Sequence, residues 1–348
     1  MSSEATEERV LEAVAERREL VNGALDEEIP MQSPERLYEA TRHLLLAGGK
    51  RLRPTVSLLT AEALADVEPL SVDYRSFPAL DGTEIDMLAA ATSIEVIQSF
   101  TLIHDDIMDD DDLRRGVPAV HKAYDTEMAI LAGDTLYAKA FELLSETGAD
   151  PANGIDAVRR LATTCTQICE GQALDVEFEH RTGVIPDEYL EMIELKTAVL
   201  YGAATATAAV LMGADDETVE ALYRYGIDSG RAFQIQDDVL DLTVPSEKLG
   251  KQRGSDLVEN KETLITLHAR QQGVDVDGLV DADDVESVSE PEIEAAVSEL
   301  DAAGSIDYAE AKARELTENA KDHLAVLPDN EARTLLSDLA EYLITRGY

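Results

Sequence analysis

Two aspartate clusters of one pattern stand far apart in the chain: Asp105-Asp106-Ile107-Met108-Asp109 and Asp237-Asp238-Val239-Leu240-Asp241. Each follows an apolar run of helical spacing. On a helix the outer aspartates of a cluster, four residues apart, share one face, and like charges so placed destabilise it. Two such faces opposed in a core would repel unless cations lay between them. Carboxylate oxygens with room for water are the ligands Mg²⁺ takes, and Mg²⁺ commonly bridges to substrate phosphates. The pattern therefore points to a magnesium cage for a phosphorylated substrate, built by two facing helices.

The cations are few and grouped. Gly48-Gly49-Lys50-Arg51-Leu52-Arg53-Pro54 frees the backbone with two glycines and follows at once with positive charge. Such a segment can hold a diphosphate through a point charge and a guanidinium fork. It could equally be a helix end with cations that suit the helix dipole. Arg114-Arg115-Gly116 comes directly after the first cluster, beyond the acidic run Asp110-Asp111-Asp112, which reads as a solvated helix end. Around the second cluster stand Lys196-Thr197 upstream and Gly250-Lys251 and Asn260-Lys261 downstream.

Composition narrows the class. A chain of 348 residues is 45% apolar with no Trp, so its core must rest on Ala, Leu, Val and Ile. A net charge of −43 excludes nucleic acid as a partner, because a polyanion would be repelled. Self-repulsion of that size falls away at about 1 M salt, where the Debye length is roughly 3 Å. The acidic surface with few lysines reads as that of a protein from a salt-loving cytoplasm. Cys165 and Cys169 read as two small core residues. MSSEATEERV shows no basic or apolar leader segment. The longest uncharged stretch, Thr197–Ala214, reads as a buried helix and not as a membrane span.

Apolar residues at three- and four-residue spacing predict helices over Glu7–Leu25, Pro34–Ala47, Thr55–Leu64, Ile85–Met108, Met128–Thr147 and Gly154–Glu179. Further helices are predicted over Asp187–Met212, Asp216–Leu242, Lys261–Gln271, Pro291–Ala303 and Ile306–Leu343. Hairpin signals are almost absent. Asp66–Thr83 and Gly273–Glu290 read as loop excursions. The reading is one all-α domain over residues 1–348, with helices packed around a central cavity.

The segments GGKRLRP, LIHDDIMDDDDLRRG, GQALD, LKTA, FQIQDDVLDL and GKQRGSDLVENK occur in order over about residues 37–265. Together they resemble the motifs of the trans-isoprenyl diphosphate synthases. The resemblance implies an isoprenoid-synthase-type helical bundle around a deep central cavity, commonly a homodimer. It implies a cytoplasmic enzyme that joins an allylic diphosphate to isopentenyl diphosphate with Mg²⁺, two or three ions. Asp105 and Asp109 would ligate Mg²⁺ from one side and Asp237 from the other, with Asp241 assisting through water. Arg114, Lys196 and Lys251 would hold the allylic diphosphate. Lys50, Arg53, Arg115 and Gln98 would hold isopentenyl diphosphate, although many relatives carry His at the position of Gln98. Thr197 and Gln234 would line the reacting carbons, Gln172 and Asp175 would lie nearby, and Lys261 would close the rim. His104 reads as a packed residue.

Product length is a steric matter. Phe100 and Thr101 lie five and four residues before Asp105. In that family a bulky aromatic at the fifth position, with no insertion in the aspartate motif, implies a C20 product, geranylgeranyl diphosphate. C15 and C25 are the near alternatives. A terpene cyclase is disfavoured by the intact second cluster with Lys50 and Arg53, and an inactive subunit by the completeness of the motifs.

Overall fold

The computed structural model of the chain describes residues 3–178, 180–245, 253–280 and 288–345. The architecture is all-α. α1 spans Ser3–Glu28, α2 Glu35–Leu46, α3 Leu52–Ala65, α4 Met87–Met108, α5 Val120–Ala123, α6 Thr126–Ser145, α7 Pro151–Phe178, α8 Pro186–Ile193, α9 Val199–Met212 and α10 Asp216–Thr243. After one short turn of helix at Ser255–Val258, helices continue over Leu264–Gln271, Glu290–Ala302, Ser305–His323 and Glu331–Thr345. Pro151 and Pro186 open α7 and α8, where a missing N–H costs nothing. Asp86 and Asp125 cap α4 and α6, accepting the N–H of Ala89 and of Met128, each at 2.7 Å.

The chain forms two compact units. The first comprises Met1–Cys165, Ala203–Tyr223 and Leu324–Asp338; the second comprises Thr166–Gly202, Arg224–His323 and Leu339–Tyr348. In the first, α4 packs against α6, α3 and α1. Every residue from Met87 to Ile97 is buried, so this half of α4 is a core helix on all sides. In the second, the core gathers Ile193 of α8, Ile235 and Val239 of α10, Leu264 and Ile265, Leu300 and Ile306. Two segments, Met87–Met108 and Pro186–Met212, are long and apolar enough to cross a membrane, but 72% and 83% of their most apolar windows lie inside the protein. That matches the buried helix expected over Thr197–Ala214.

Several expectations are corrected. The single helix over Asp187–Met212 is interrupted by a π-turn, Glu194–Ala198, between α8 and α9. The helix over Ile306–Leu343 is two, because Pro328 breaks it and Asn330 caps the next start by accepting from Arg333 N–H at 2.9 Å. Two small antiparallel ribbons are present: β1 (Phe77–Pro78) with β2 (Glu84–Ile85), and β3 (Leu113–Arg114) with β4 (Val117–Pro118). The first ribbon and a 3₁₀ turn at Tyr74–Ser76 give the Asp66–Thr83 excursion a fixed shape. Of the second excursion, residues 281–287 lie outside the described residues. Cys165 is buried but Cys169 is exposed, not core. Positions four apart differ by about 40° around a helix, enough to straddle the edge of a buried face.

Candidate active site

In the first unit the final turn of α4 carries the first cluster. Asp105 is half-buried and Asp109 exposed, while Asp106 between them is fully buried. Asp106 is met by Arg114, whose Nε donates at 2.6 Å, and Arg114 also donates to Asp111 at 2.7 Å. Burial pushes the Asp106 carboxyl up, and the guanidinium pulls against it. Burial also works against the charge of Arg114, but Asp106 outweighs it and the pKa of Arg114 is raised.

The arginine comes from the β3–β4 ribbon. Its turn residues Arg115 and Gly116 both have positive φ, +54° and +78°, as a tight hairpin turn of this hand requires. Arg115 donates to the Gly48 carbonyl and lies 3.5 Å from Glu95. Burial lowers its pKa, with Glu95 opposing. Gly49 sits at φ +134°, and a Cβ there would stand 2.7 Å from the Arg115 guanidinium carbon. The absence of a side chain at Gly49 therefore lets the Arg115 guanidinium come close to the backbone.

In the same motif Arg51 is fully buried. It pairs with Glu95, donates to Asn22 at 3.0 Å and to the Leu45 carbonyl at 2.7 Å. Lys50 is exposed and Arg53 half-buried. Gln98 follows Glu95 by three residues on α4 and is half-buried. In the acidic run Asp110 and Asp112 are exposed and Asp111 is half-buried, and the run is also bonded: Lys122 reaches Asp110 at 2.8 Å and Asp112 at 3.0 Å. His104 is packed, edge-on to Phe100 at 4.9 Å, its Nε2 3.3 Å from the Ile130 carbonyl. Phe100 is edge-on to Tyr137 of α6 at 5.1 Å, and Tyr137 to Phe141 at 5.1 Å. Thr101 donates to the Gln98 carbonyl at 2.9 Å.

In the second unit α10 carries the second cluster. Asp237 is half-buried, Asp238 and Asp241 are buried. Asp238 accepts from the phenol of Tyr189 and from Gln234 Nε2, the latter at 3.1 Å. Burial pushes Asp238 well up, the charge of Asp256 adds to that, and the two donors oppose it. Burial and the charge of Asp238 also raise Tyr189 well above the ordinary phenol range. Gln234 Oε1 accepts from Thr197 at 3.1 Å. Lys196 pairs with Asp175. Asp241 accepts from the Ser255 hydroxyl at 2.8 Å and the Asp256 N–H at 3.2 Å, tying down the Ser255–Val258 turn. Lys196, Thr197, Gln234, Asp238, Tyr189 and Lys261 line one cleft of about 510 Å³, counting its open mouth. Lys261, exposed, also pairs with Glu259 at 2.8 Å. Lys251 lies outside the described residues.

The π-turn is what delivers Lys196 and Thr197. It is clamped between α7 and α10 at glycines: a Cβ on Gly171 would stand 2.2 Å from Lys196 N, and one on Gly230 would stand 2.6 Å from Ala198 Cα. Gln172, beside Gly171, is buried with no hydrogen-bond partner among the described residues.

Among the described residues no three His, Cys, Asp or Glu are gathered closely enough to hold an ion unaided. Mg²⁺ needs no such group when phosphate and water complete its shell. Asp105 and Asp109, on one open helix face, suit that donor set, whereas Asp106 is committed to Arg114.

The sequence model of the family described as polyprenyl synthetase matches residues 34–300. The chain belongs to the polyprenyl synthetase family. It is 66% identical to a geranylfarnesyl diphosphate synthase of Natronomonas pharaonis, over 98% of the chain and 99% of that relative. It is 47% identical to a geranylgeranyl diphosphate synthase of Methanosarcina mazei, over 97% and 98%. Among solved structures, a geranylgeranyl pyrophosphate synthetase from Geoglobus acetivorans superposes with a TM-score of 0.84 at 44% identity, covering 96% of this chain and 99% of that one. Trans-prenyltransferase is thus the class of enzyme to which the site belongs.

Within this family member, the motifs name the candidate ligand-facing residues and not the residues that hold them. Glu95, Arg51, Tyr189 and Ser255 carry no signal of their own in a single sequence. Asp106 and Asp238 were visible only as letters of the motif.

Proposed function

We propose that the chain condenses isopentenyl diphosphate with an allylic diphosphate, head to tail, and that its product is geranylgeranyl diphosphate. Asp105, Asp109 and Asp237 hold two or three Mg²⁺ ions, with Asp241 acting through water. When bound, Mg²⁺ supplies Lewis-acid neutralisation of the leaving diphosphate. Lys50, Arg53, Arg115 and Gln98 hold isopentenyl diphosphate; Arg114, Lys196 and Lys251 hold the allylic diphosphate, and Lys261 closes the rim. These cations preorganise positive charge where negative charge develops. Thr197 and Gln234 face the allylic carbon as positive charge grows on it. What supports the reading is Arg115, on a positive-φ hairpin turn and bonded back to Gly48, at the head of the segment that carries Lys50 and Arg53 in a strongly acidic chain.

The C20 product rests on Phe100, braced by Tyr137 behind it. A C25 product is the second reading, favoured by 66% identity to a geranylfarnesyl diphosphate synthase. The enzyme acts as a homodimer: Ile155, Ala162, Thr166, Cys169, Ala173 and Val176 form an exposed stripe of small and apolar side chains at coiled-coil spacing along α7. It works in a cytoplasm rich in salt, in keeping with its net charge of −43.

Incubation with Mg²⁺, isopentenyl diphosphate and C5, C10 or C15 primers in molar KCl, with chromatography of the products, tests this. A C20 diphosphate is expected. A C25 diphosphate would move the assignment to the second reading, and hydrocarbon or no product would overturn it.

A further inference from the structure

In the first unit two guanidiniums meet one carboxylate, and they do not share it equally. Glu95 is 3% exposed and Arg51 2% exposed. Arg51 Nη1 pairs with Glu95 Oε1, while its Nε donates to Asn22 Oδ1 at 3.0 Å and its Nη2 to the Leu45 carbonyl at 2.7 Å. Arg115 reaches the same Glu95 oxygen only at 3.5 Å, the outer limit of a hydrogen bond, and donates to the Gly48 carbonyl as well. The backbone at Arg51 is left-handed, φ +53°, a conformation that costs energy in a residue with a Cβ and so marks a side chain held in place by its surroundings.

Two positive charges against one negative leave one positive charge over. Because Arg51 has the closer contact with Glu95, that charge stays on Arg115, whose side chain is the more exposed of the two at 20%. After burial, the charges that act most on Arg115 are Glu95, which favours its ionised form, and Arg51, which disfavours it. A buried carboxylate deprived of its closest partner draws on the next cation, and here that is Arg115.

Resting on the proposed hold of Arg115 on isopentenyl diphosphate, we propose that Arg51 is a positioning residue that neutralises Glu95 and so keeps the Arg115 guanidinium for the diphosphate. Arg51 touches no substrate; it acts through Glu95. Without it, Glu95 becomes a built-in anion that competes with the diphosphate for Arg115.

The test reads kcat and KM for each diphosphate in Arg51→Met, in Glu95→Gln and in the double variant, with folding checked by circular dichroism. In Arg51→Met, KM for isopentenyl diphosphate should rise about 10- to 100-fold, the scale of one hydrogen bond to a charged group. KM for the allylic diphosphate and kcat should stay within about threefold, because the interaction lost is one of binding and belongs to one substrate. Adding Glu95→Gln removes the competing charge, so the double variant should bring KM back to within about threefold of wild type, a coupling that independent sites do not show. A merely structural role for Arg51 predicts no such rescue, and a double variant as impaired as the single one overturns the proposal. A folded Arg51→Met whose KM for isopentenyl diphosphate stays within about threefold of wild type overturns it too. If Arg51→Met does not fold, Glu95→Gln alone decides. A KM for isopentenyl diphosphate no more than about threefold above wild type supports the proposal, and a greater rise, which would make Glu95 the group that holds Arg115, overturns it. Arg115→Gln tests the underlying reading separately: an unchanged KM for isopentenyl diphosphate there removes Arg115 from that substrate, whatever the Arg51 variants show.

Discussion

At the end of α4 a buried carboxylate, Asp106, is matched with a guanidinium; on α10 the carboxylate at the same motif position, Asp238, is matched with a phenol and an amide. The flanking aspartates differ as well. Asp109 is exposed, whereas Asp241 is buried and tied to Ser255 and Asp256. Two segments with one spelling are therefore built on different physics. The first is balanced by charge carried on a hairpin that also holds Arg115. The second is fixed by directional hydrogen bonds from neutral donors on helices. Charge pairing tolerates small movements of its partners, while a hydrogen-bond relay through an amide specifies which atom faces the cleft. The first arrangement suits gripping diphosphate, and the second suits presenting a fixed dipole to a reacting carbon.

The largest effect that would test this contrast is common to both clusters. Asp105→Ala and Asp237→Ala should each lower turnover by at least about 10²-fold, the typical loss for one transition-state stabiliser. Steady-state rates near wild type in either variant would remove that cluster from metal binding. The glycines sharpen the difference. Gly171→Ala drives a Cβ into the backbone of Lys196, so overpacking of about 1–3 kcal/mol is expected, read by denaturant unfolding, together with a lower kcat. Gly49→Ala meets the end of the Arg115 side chain and also strains the backbone at φ +134°, so a raised KM for isopentenyl diphosphate should come with a loss of stability.

The middle aspartates divide the two mechanisms directly. Asp106→Asn leaves Arg114 without its closest counter-charge and should cost about 2 kcal/mol. That is less than for a fully enclosed pair, because Arg114 is partly exposed and keeps Asp111. Asp238→Asn strands no cation and should cost less stability by the same measurement while losing more kcat. The reverse ranking would erase the distinction drawn between the clusters. Smallest in rate but clearest in product is Phe100→Ala, which should lengthen the chain made, by chromatography, with Tyr137 as the next barrier. An unchanged product distribution would remove Phe100 as the stop.

Most helices were legible because apolar spacing and proline positions are local properties. The breaks at Glu194–Ala198 and after His323 were not read: the first depends on Gly171 and Gly230 drawing neighbouring helices together, and the second was signalled by Pro328 but overrun by the apolar pattern. The β3–β4 ribbon escaped because its turn uses Arg115 at positive φ where Asn or Gly would have announced it. Among the cations near the first glycines, Lys50, Arg51 and Arg53 look alike in sequence. Burial separates them, sending Arg51 to Glu95 and leaving Lys50 exposed.

The order and spacing of acidic and basic residues were enough to establish the chemistry, since Mg²⁺ and diphosphate select for residue type and for helix periodicity. What only the tertiary structure decided is how each carboxylate is used. Whether an aspartate meets an arginine, a phenol or open solvent depends on which distant segment packs against it. That partner is chosen by close packing across the fold and not by the residues beside it in the chain.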